Sequence, residues 1–229
     1  LRRLGAGFRK GPFAFSGGPV KKTIVYVDGF NLYYALKKHG SKWLDLMALC
    51  KRLLPENDIV AIKYFTARAR SRIGDLDIHI RQNTYLRALA TDSKIEVIYG
   101  HFLTSDVWMV KTLDIGKDPS EIKKVQVIKT EEKGSDVNIA SHLLVDGFQK
   151  KYQVAAVLTN DSDLKTPIGM VKNILGNTIG VICPHDRPSR ELVKVATFFK
   201  TIKPEVFREC QYPDTIKDQH GVIRKPKSW

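Results

Sequence analysis

Five short apolar runs rich in β-branched residues alternate with helical segments along this chain, and that alternation constrains the fold more than any other feature. TIVYVD (23–28), DIVAIKYFTAR (58–68), KIEVIYGHF (94–102), YQVAAVLTN (152–160) and NTIGVIC (177–183) each read as a strand. The first and fourth are nearly continuous in apolar residues, as strands covered on both faces are. Residues 31–38 read as a helix stopped by Gly40, and WLDLMALCKRLL (43–54) as an amphipathic helix ended before Pro55. Residues 75–90 read as a long helix with Leu76, Ile80, Tyr85 and Leu89 among its apolar positions; 135–149, 163–175 and 189–196 read as three more. Strand–helix order of this kind implies an α/β domain with a mainly parallel sheet. Right-handed crossovers then bring the C-terminal ends of its strands to one edge. Segments 106–113 and 122–130 alternate around a turn-rich GKDPS link and read as a hairpin extension.

The two ends have a different texture. Residues 1–22 carry Arg2, Arg3, Arg9, Lys10, Lys21 and Lys22, several glycines and no acid. They read as a flexible basic arm, able to follow a phosphate backbone or to serve only as a disordered leader. From Lys203 onward proline and charge dominate, which suggests an extension over the surface. The expected organisation is therefore an arm (1–22), one domain (23–203) and a C-terminal extension (204–229), with no internal repeat. The chain begins with Leu1 and not Met. Its first twenty residues lack the apolar core of a secretory signal.

Charge narrows the partners. Lys+Arg number 38 against 24 Asp+Glu, a formal net charge of +14, which favours polyanions: nucleic acid first, an anionic surface second. No apolar run is long enough to span a bilayer, so no membrane partner is expected. Cys50, Cys183 and Cys210 are sparse, odd in number and free of any CxxC spacing, as in a cytoplasmic protein with reduced thiols. The six histidines do not cluster at ligand spacing, and no phosphate-binding GxxxxGK[ST] loop is present.

Active sites of open parallel sheets lie at the C-terminal ends of the strands. Asp28 ends the first strand, Asp161 and Asp163 follow the fourth, and Asp136 opens the helix after the hairpin, so all four acids are expected on one edge. Taken singly, each has an ordinary structural explanation: Asp28-Gly29 as a turn, the others as helix caps. Caps do not require four acids to share an edge, however. Clustered carboxylates repel one another, and a hard divalent cation relieves that repulsion. Two such ions roughly 3.5–4 Å apart activate water and stabilise the leaving oxygen of a phosphodiester.

The elements YVDGFNLYYAL (26–36), KGSDVNIASHLL (133–144) and LTNDSDLKTPI (158–168) resemble, in order, those of the NYN family, nucleases of the PIN-like superfold. The resemblance spans roughly residues 22–203. It implies a three-layer α/β/α sandwich with a mainly parallel central sheet, and Mg²⁺- or Mn²⁺-dependent cleavage of RNA. By the same resemblance Asp28, Asp136, Asp161 and Asp163 form the acidic site. Asn31 holds the first aspartate or a metal-bound water, or caps its helix. Where the family usually has Ser-Gly before the third acid this chain has Thr159-Asn160, and Leu164 replaces the usual Phe; neither change removes a ligand.

Other residues carry two readings each. Ser162 could contact phosphate or cap a helix. Arg187 and Arg190, after the last strand, could grip phosphates in bidentate fashion or form internal salt bridges. Arg68, Arg70 and Arg72 suit backbone tracking or simple solvation. Glu131 and Glu132 read as outer acids or surface residues. RNA, single-stranded or structured, is the expected partner, with DNA also open, and the oligomeric state is undetermined. Two rivals to a ribonuclease remain: a catalytically silent RNA-binding module of the same fold, and a phosphatase using DSD. The phosphatase motif wants Thr or Val where Lys165 stands.

Overall fold

In the computed structural model, which describes residues 20–71, 74–118 and 120–229, the chain folds around one parallel sheet. In order it forms β1 (Lys21–Asp28), α1 (Gly29–His39), α2 (Leu46–Leu53), β2 (Asn57–Thr66), α3 (Ile78–Leu89), β3 (Ile95–Tyr99), β4 (His101–Val110), β5 (Lys124–Lys133), α4 (Ser135–Phe148), β6 (Val154–Leu158), α5 (Lys165–Asn173), β7 (Thr178–Cys183), α6 (Arg190–Val195), β8 (Phe198–Thr201), α7 (Pro204–Glu209), β9 (Thr215–Asp218) and β10 (Gly221–Arg224). Six strands make the sheet, in the order β3-β2-β1-β6-β7-β8, and each neighbouring pair is parallel.

The central strand explains the layering. Val25 and Val27 of β1 point into one apolar cluster, with Leu32 and Leu36 of α1, Leu49 of α2, Leu89 of α3 and Phe207 of α7. Ile24 and Tyr26 point into the other, with Ile139 and Leu143 of α4, Ile168 and Val171 of α5 and Leu192 of α6. Alternate residues of one strand thus anchor helices on both faces, which is why the strand reads as continuously apolar. The result is the expected three-layer α/β/α sandwich with a hairpin extension.

The second layer contains one buried ionic group. Lys63 of β2 donates to Asp146 Oδ2 at 2.5 Å, Tyr26 Oη donates to the same oxygen at 2.9 Å, and Lys151 donates to Oδ1 at 3.0 Å. His142 Nδ1 lies 3.1 Å from Lys63 Nζ, and its ring meets Phe65 edge-on.

Several boundaries differ from the sequence reading. The helix expected over 43–54 starts at Leu46, where Asp45 caps it by accepting from Ala48 N; Leu44 instead bridges to Gln211. The helix expected from 75 starts at Ile78, and Leu76 and Ile80 are exposed. The strand expected over 94–102 breaks at Gly100. The hairpin is longer than expected because β4 already begins at His101 and β5 continues to Lys133. The helix expected from 163 begins with a 3-10 turn, Ser162–Leu164. Lys21 and Lys22 belong to β1; residues 1–19 of the expected arm, and Arg72, lie outside the described residues.

The sixth strand, β8, was missed, and the segment from Lys203 is more than a surface strap. Phe207 is fully buried, and Trp43 Nε1 donates to Pro213 O at 2.9 Å. Arg87 holds Asp218 through two hydrogen bonds of 2.6 Å. The Trp229 ring packs on Trp43 and Tyr85. Widely spaced apolar residues in a polar segment carry no periodic signal, so composition hid this packing. Among the described residues no helix is long and apolar enough to cross a membrane, and the three cysteines are free and buried.

One glycine is required by close approach. A Cβ on Gly29 would collide with the Phe65 carbonyl and sit 2.8 Å from Tyr64 Cζ, because α1 leaves the sheet directly over β2. Gly29→Ala must displace backbone next to Asp28. The expected cost is about 1–3 kcal/mol, measurable as a lower midpoint in urea denaturation with an unchanged slope.

Candidate active site

The site grows from the end of β1. Asp28 is buried where the strand turns into α1, and its two oxygens have different tasks. Oδ1 accepts from Asn31 N at 2.9 Å, capping the helix. Oδ2 accepts from Thr159 Oγ1 at 2.9 Å, and the same Thr159 oxygen accepts from Asp161 N at 3.0 Å. One threonine therefore ties the acid of β1 to the acidic turn after β6. Asn31 Oδ1 accepts from Asn160 N at 3.0 Å, a second tie between the same segments. Asn31 thus does not cap its helix: its backbone N–H donates to the cap, Asp28, and its side-chain amide oxygen ties the two segments.

Asp161 caps the following 3-10 turn by accepting from Asp163 N at 3.0 Å. Ser162 and Asp163 are exposed and Asp161 is half-buried. Asn160 carries the turn outward. Its Oδ1 accepts from Ser189 N at 2.7 Å and its Nδ2 donates to Arg187 O at 3.0 Å. The loop bearing Arg187, and the start of α6 at Arg190, are thereby fastened to the acidic turn, and both arginines are exposed. Thr159 and Asn160, which read in the sequence as departures from a family pattern, are the residues that hold the site together. Their adjacency to Asp161 was the available signal.

Asp136 arrives from the other direction. β5 ends at Lys133, Gly134 takes a left-handed turn (φ 95°), and α4 begins at once. Glu132 caps this start, its Oε1 accepting from Ser135 N at 3.1 Å and Ser135 Oγ at 2.7 Å. Asn138 Nδ2 donates to Tyr99 O at 3.4 Å, so the first turn of α4 is attached to the end of β3. Glu131 pairs instead with Lys129 and Lys133 on the hairpin.

Electrostatics joins the two halves. The half-buried Asp136 carboxyl is pushed up to about 6, first by burial and then by the charges of Asp28, Asp161, Glu132 and Asp163. Burial also pushes the Asp28 carboxyl up. The Asn31 and Thr159 bonds oppose that shift and the Asp161 charge adds to it. Burial and mutual repulsion both disfavour the charged carboxylates, and a bound cation would relieve both. Among the described residues, though, no three His, Cys, Asp or Glu side chains form a ready-made metal cage. The donor set is all hard oxygen, which suits Mg²⁺ or Mn²⁺. Mg²⁺ usually takes one or two carboxylates and completes its shell with water and substrate phosphate, so a missing three-acid cage is compatible with such an ion.

Sheet order sets the remaining residues along the edge. Arg68 and Arg70 follow β2, Asp28 ends β1, Asp161 and Asp163 follow β6, and Arg187 and Arg190 follow β7. Three strand spacings, about 14 Å, separate the two basic loops. The Arg68 guanidinium lies 4.5 Å from the centroid of the Tyr99 ring. Its loop is pinned by Gln82, which accepts from Ala69 N at 2.7 Å and donates to Ala67 O at 2.8 Å. Arg70 is exposed.

An α/β/α sandwich with this acidic edge is the frame of the NYN domain family, and the chain belongs to that family, whose model matches residues 22–203. NYN domains are generally divalent-metal-dependent nucleases, which makes an enzyme acting on nucleic acid the general expectation. The chain is also 32% identical to 6-hydroxy-3-succinoylpyridine 3-monooxygenase HspA of Pseudomonas putida, over 91% of this chain and 75% of that protein. A crystal structure of a Vibrio parahaemolyticus protein of unknown function superposes with a TM-score of 0.54 at 14% identity, covering 80% of this chain and 94% of that one, and supports the fold.

Proposed function

We propose that the protein is a metal-dependent ribonuclease, cutting RNA phosphodiester bonds within the strand by attack of water. The observation that supports this reading is the half-buried Asp136 carboxyl, pushed up to about 6 first by burial and then by the charges of Asp28, Asp161, Glu132 and Asp163. In this reading Asp136 and Asp161 offer their carboxylates to Mg²⁺ or Mn²⁺. Asp28 contributes through lone pairs not used by Asn31 and Thr159. Such an ion supplies Lewis-acid stabilisation to the phosphate and acidifies water. The chain supplies the rest. Asn31 and Thr159 fix the acids, Asp163 and Ser162 face the solvent side of the turn where substrate enters, and the two arginine loops hold phosphates on either side. The net charge of +14 supports RNA capture, and three buried free thiols suit a reducing compartment such as the cytoplasm.

The arginine assignment has its own readout. Binding of single-stranded RNA to a catalytically blocked form should weaken as salt rises. Arg187→Ala and Arg190→Ala should each weaken binding at all sequences and flatten the log–log salt slope by about 0.7–1. An unchanged slope in both variants removes these residues from the interface.

A second reading is favoured by the 32% identity to the monooxygenase: hydroxylation of a hydroxypyridine ring. The discriminating experiment assays one preparation against labelled RNA, p-nitrophenyl phosphate, and 6-hydroxy-3-succinoylpyridine with oxygen and a two-electron reductant. RNA cleavage supports the nuclease. Oxygen uptake with loss of the pyridine, and no RNA cleavage, replaces it with the second reading. RNA bound but uncut under every divalent ion indicates a silent module, and release of nitrophenol alone a phosphatase.

A further inference from the structure

The C-terminal segment encloses a cavity that the acidic edge does not use. β9 and β10 pair antiparallel as far as Thr215 and Arg224, and just beyond that pair Lys225 N donates to Asp214 O at 2.8 Å. The chain then turns, with Trp229 N donating to Pro226 O at 3.0 Å. Between the open end of the hairpin and this turn lies an open cavity of about 360 Å³, lined by Asp214, Thr215, Arg224, Lys225, Lys227 and Trp229. Its walls are fastened to the core. Ile223 is buried, Arg87 of α3 holds Asp218, and the Trp229 ring packs on Trp43 and Tyr85.

The charge of this cavity is one-sided. Three cations face a single acidic side chain, Asp214, which is 87% exposed and reaches Lys225 only at 3.7 Å. Among the described residues no acid pairs with Arg224 or Lys227. Lys42 Nζ stands 5.1 Å from the centroid of the Trp229 ring and adds a further cation beside the cavity. Burial, and then the charges of Arg81 and Lys37, push the Lys42 ammonium down, so like charges crowd this side of the molecule. Converging cations in a concavity suit a phosphate group, and the volume lies at the lower end of the roughly 300–1,000 Å³ of ligand pockets.

Ring contacts place the cavity relative to the acids. Trp229 lies 5.8 Å from Tyr85, and Tyr85 lies 6.3 Å from Tyr64, between ring centroids. The Tyr64 ring lies against Gly29, the neighbour of Asp28, where a Cβ would sit 2.8 Å from Tyr64 Cζ. A strand lying on the acidic edge therefore reaches the cavity within a few nucleotides. We propose that the cavity is a remote RNA subsite, with Arg224 and Lys227 on a phosphate of the strand and the Trp229 ring as an apolar wall for its base. This inference rests on the reading of the protein as a ribonuclease. Arg224 supplies a planar fork and Lys227 a mobile point charge, while the tie of Trp229 to Trp43 and Tyr85 keeps the wall in place before RNA arrives.

Fluorescence anisotropy of the full chain with a labelled twelve-nucleotide single-stranded RNA in EDTA, titrated with salt, tests the subsite. Each phosphate contact removed should cost about 5-fold in affinity at 0.1 M salt and flatten the log–log slope by about 0.7. Arg224→Gln and Lys227→Gln should each show that loss, and the double variant a loss of about 25-fold. Both side chains are exposed, so the far-UV spectrum and melting temperature should not change. Lys217→Gln, at an exposed lysine of β9 that does not line the cavity, should leave affinity and slope as in the parent. Equal losses in the Lys217 variant would mean diffuse attraction to a basic surface, and parent-like affinity in the double variant would leave the cavity without RNA. Either result overturns the proposal, while RNA cleavage by the parent would keep the ribonuclease reading. A parent that binds no RNA at any salt overturns both. Uridine monophosphate that raises the melting temperature of the parent but not of the double variant, with equal RNA affinity in the two, would make the cavity a site for a free nucleotide and overturn the strand assignment.

Discussion

Asp136→Asn should make the protein more stable while making it inert. At pH 7.5 the Asp136 carboxylate is held half-buried among Asp28, Asp161, Glu132 and Asp163. A carboxyl whose folded pKa is raised stabilises the folded state fully only below its unfolded value, near 3.8, and loses that contribution as pH rises through about 6. Above pH 6 the charge is therefore a cost, and an isosteric amide removes it. Discounting for its half exposure to water, the gain is on the order of 1 kcal/mol, or about 2–4 °C in Tm for a chain of this size. The advantage should shrink as pH falls from about 6 toward the unfolded value near 3.8, as the parent takes up its proton. A divalent ion should reverse the ranking. At roughly ten times its Kd it stabilises the parent by about 1.4 kcal/mol and should leave the variant nearly unmoved. Differential scanning fluorimetry at two pH values, with and without Mn²⁺, measures all of this without any substrate. An Asn variant that melts lower than the parent in EDTA at pH 7.5 contradicts the electrostatic account of the cluster.

The largest loss of stability is expected deeper in the same layer. Asp146 is 2% exposed and carries three donors, Lys63, Lys151 and Tyr26. Burial alone would raise its carboxyl, but the bonds from Lys63, Lys151 and Tyr26 outweigh that and hold it below the ordinary value. Asp146→Ala leaves the Lys63 ammonium in the apolar layer beside His142 and Phe65 without its counter-charge. The expected cost is about 3–5 kcal/mol, well above a typical core substitution. Pairing Lys63→Met with Asp146→Leu should recover much of it, because the uncompensated charge is then gone. Urea denaturation of the single and double variants makes the comparison. The parent's stability from this group is present above the unfolded carboxyl pKa and is lost as pH falls through the lower folded value, so the difference between parent and Asp146→Ala should narrow only in strong acid. A small penalty for the single variant, within 1 kcal/mol, would mean that Lys63 reaches water or another partner.

These two carboxylates mark what a sequence does and does not reveal. The edge positions of Asp28, Asp161 and Asp163 were legible because parallel topology forces strand ends to one edge, and apolar runs such as 23–28 and 152–160 locate those ends; Asp136 opens α4 beyond the separate β4–β5 ribbon, where strand order alone does not place it. The ionic role of Asp146 was not legible. It lies in the last turn of a helix, and its partner Lys63 is alternating-strand noise until β2 is laid beside β1. Thr159 and Asn160 were visible as residues but not as ties, since their partners Asp28, Asn31, Arg187 and Ser189 lie far off in the chain. Glu132 looked like one of two equivalent surface acids, yet only it turns inward to cap Ser135, while Glu131 stays with the hairpin lysines. The C-terminal segment failed for a different reason: Phe207, Ile223 and Trp229 are spaced too widely to register as a periodic face, and only the folded core gives them a place, Trp229 against Trp43 and Tyr85 and Phe207 against His39.

The central claim is that the four aspartates perform metal-dependent RNA cleavage, and the most direct measurement is cleavage of end-labelled single-stranded RNA by parent and Asp136→Asn, each in EDTA, Mg²⁺ and Mn²⁺. The account predicts internal cuts by the parent only with divalent ion, a rate falling as pH drops through about 6, and a loss of at least about 10²-fold in the variant, of the size expected when a group acting in the transition state is removed. RNA binding by the variant should persist. Cleavage by the parent in EDTA, or full activity in Asp136→Asn, would contradict it.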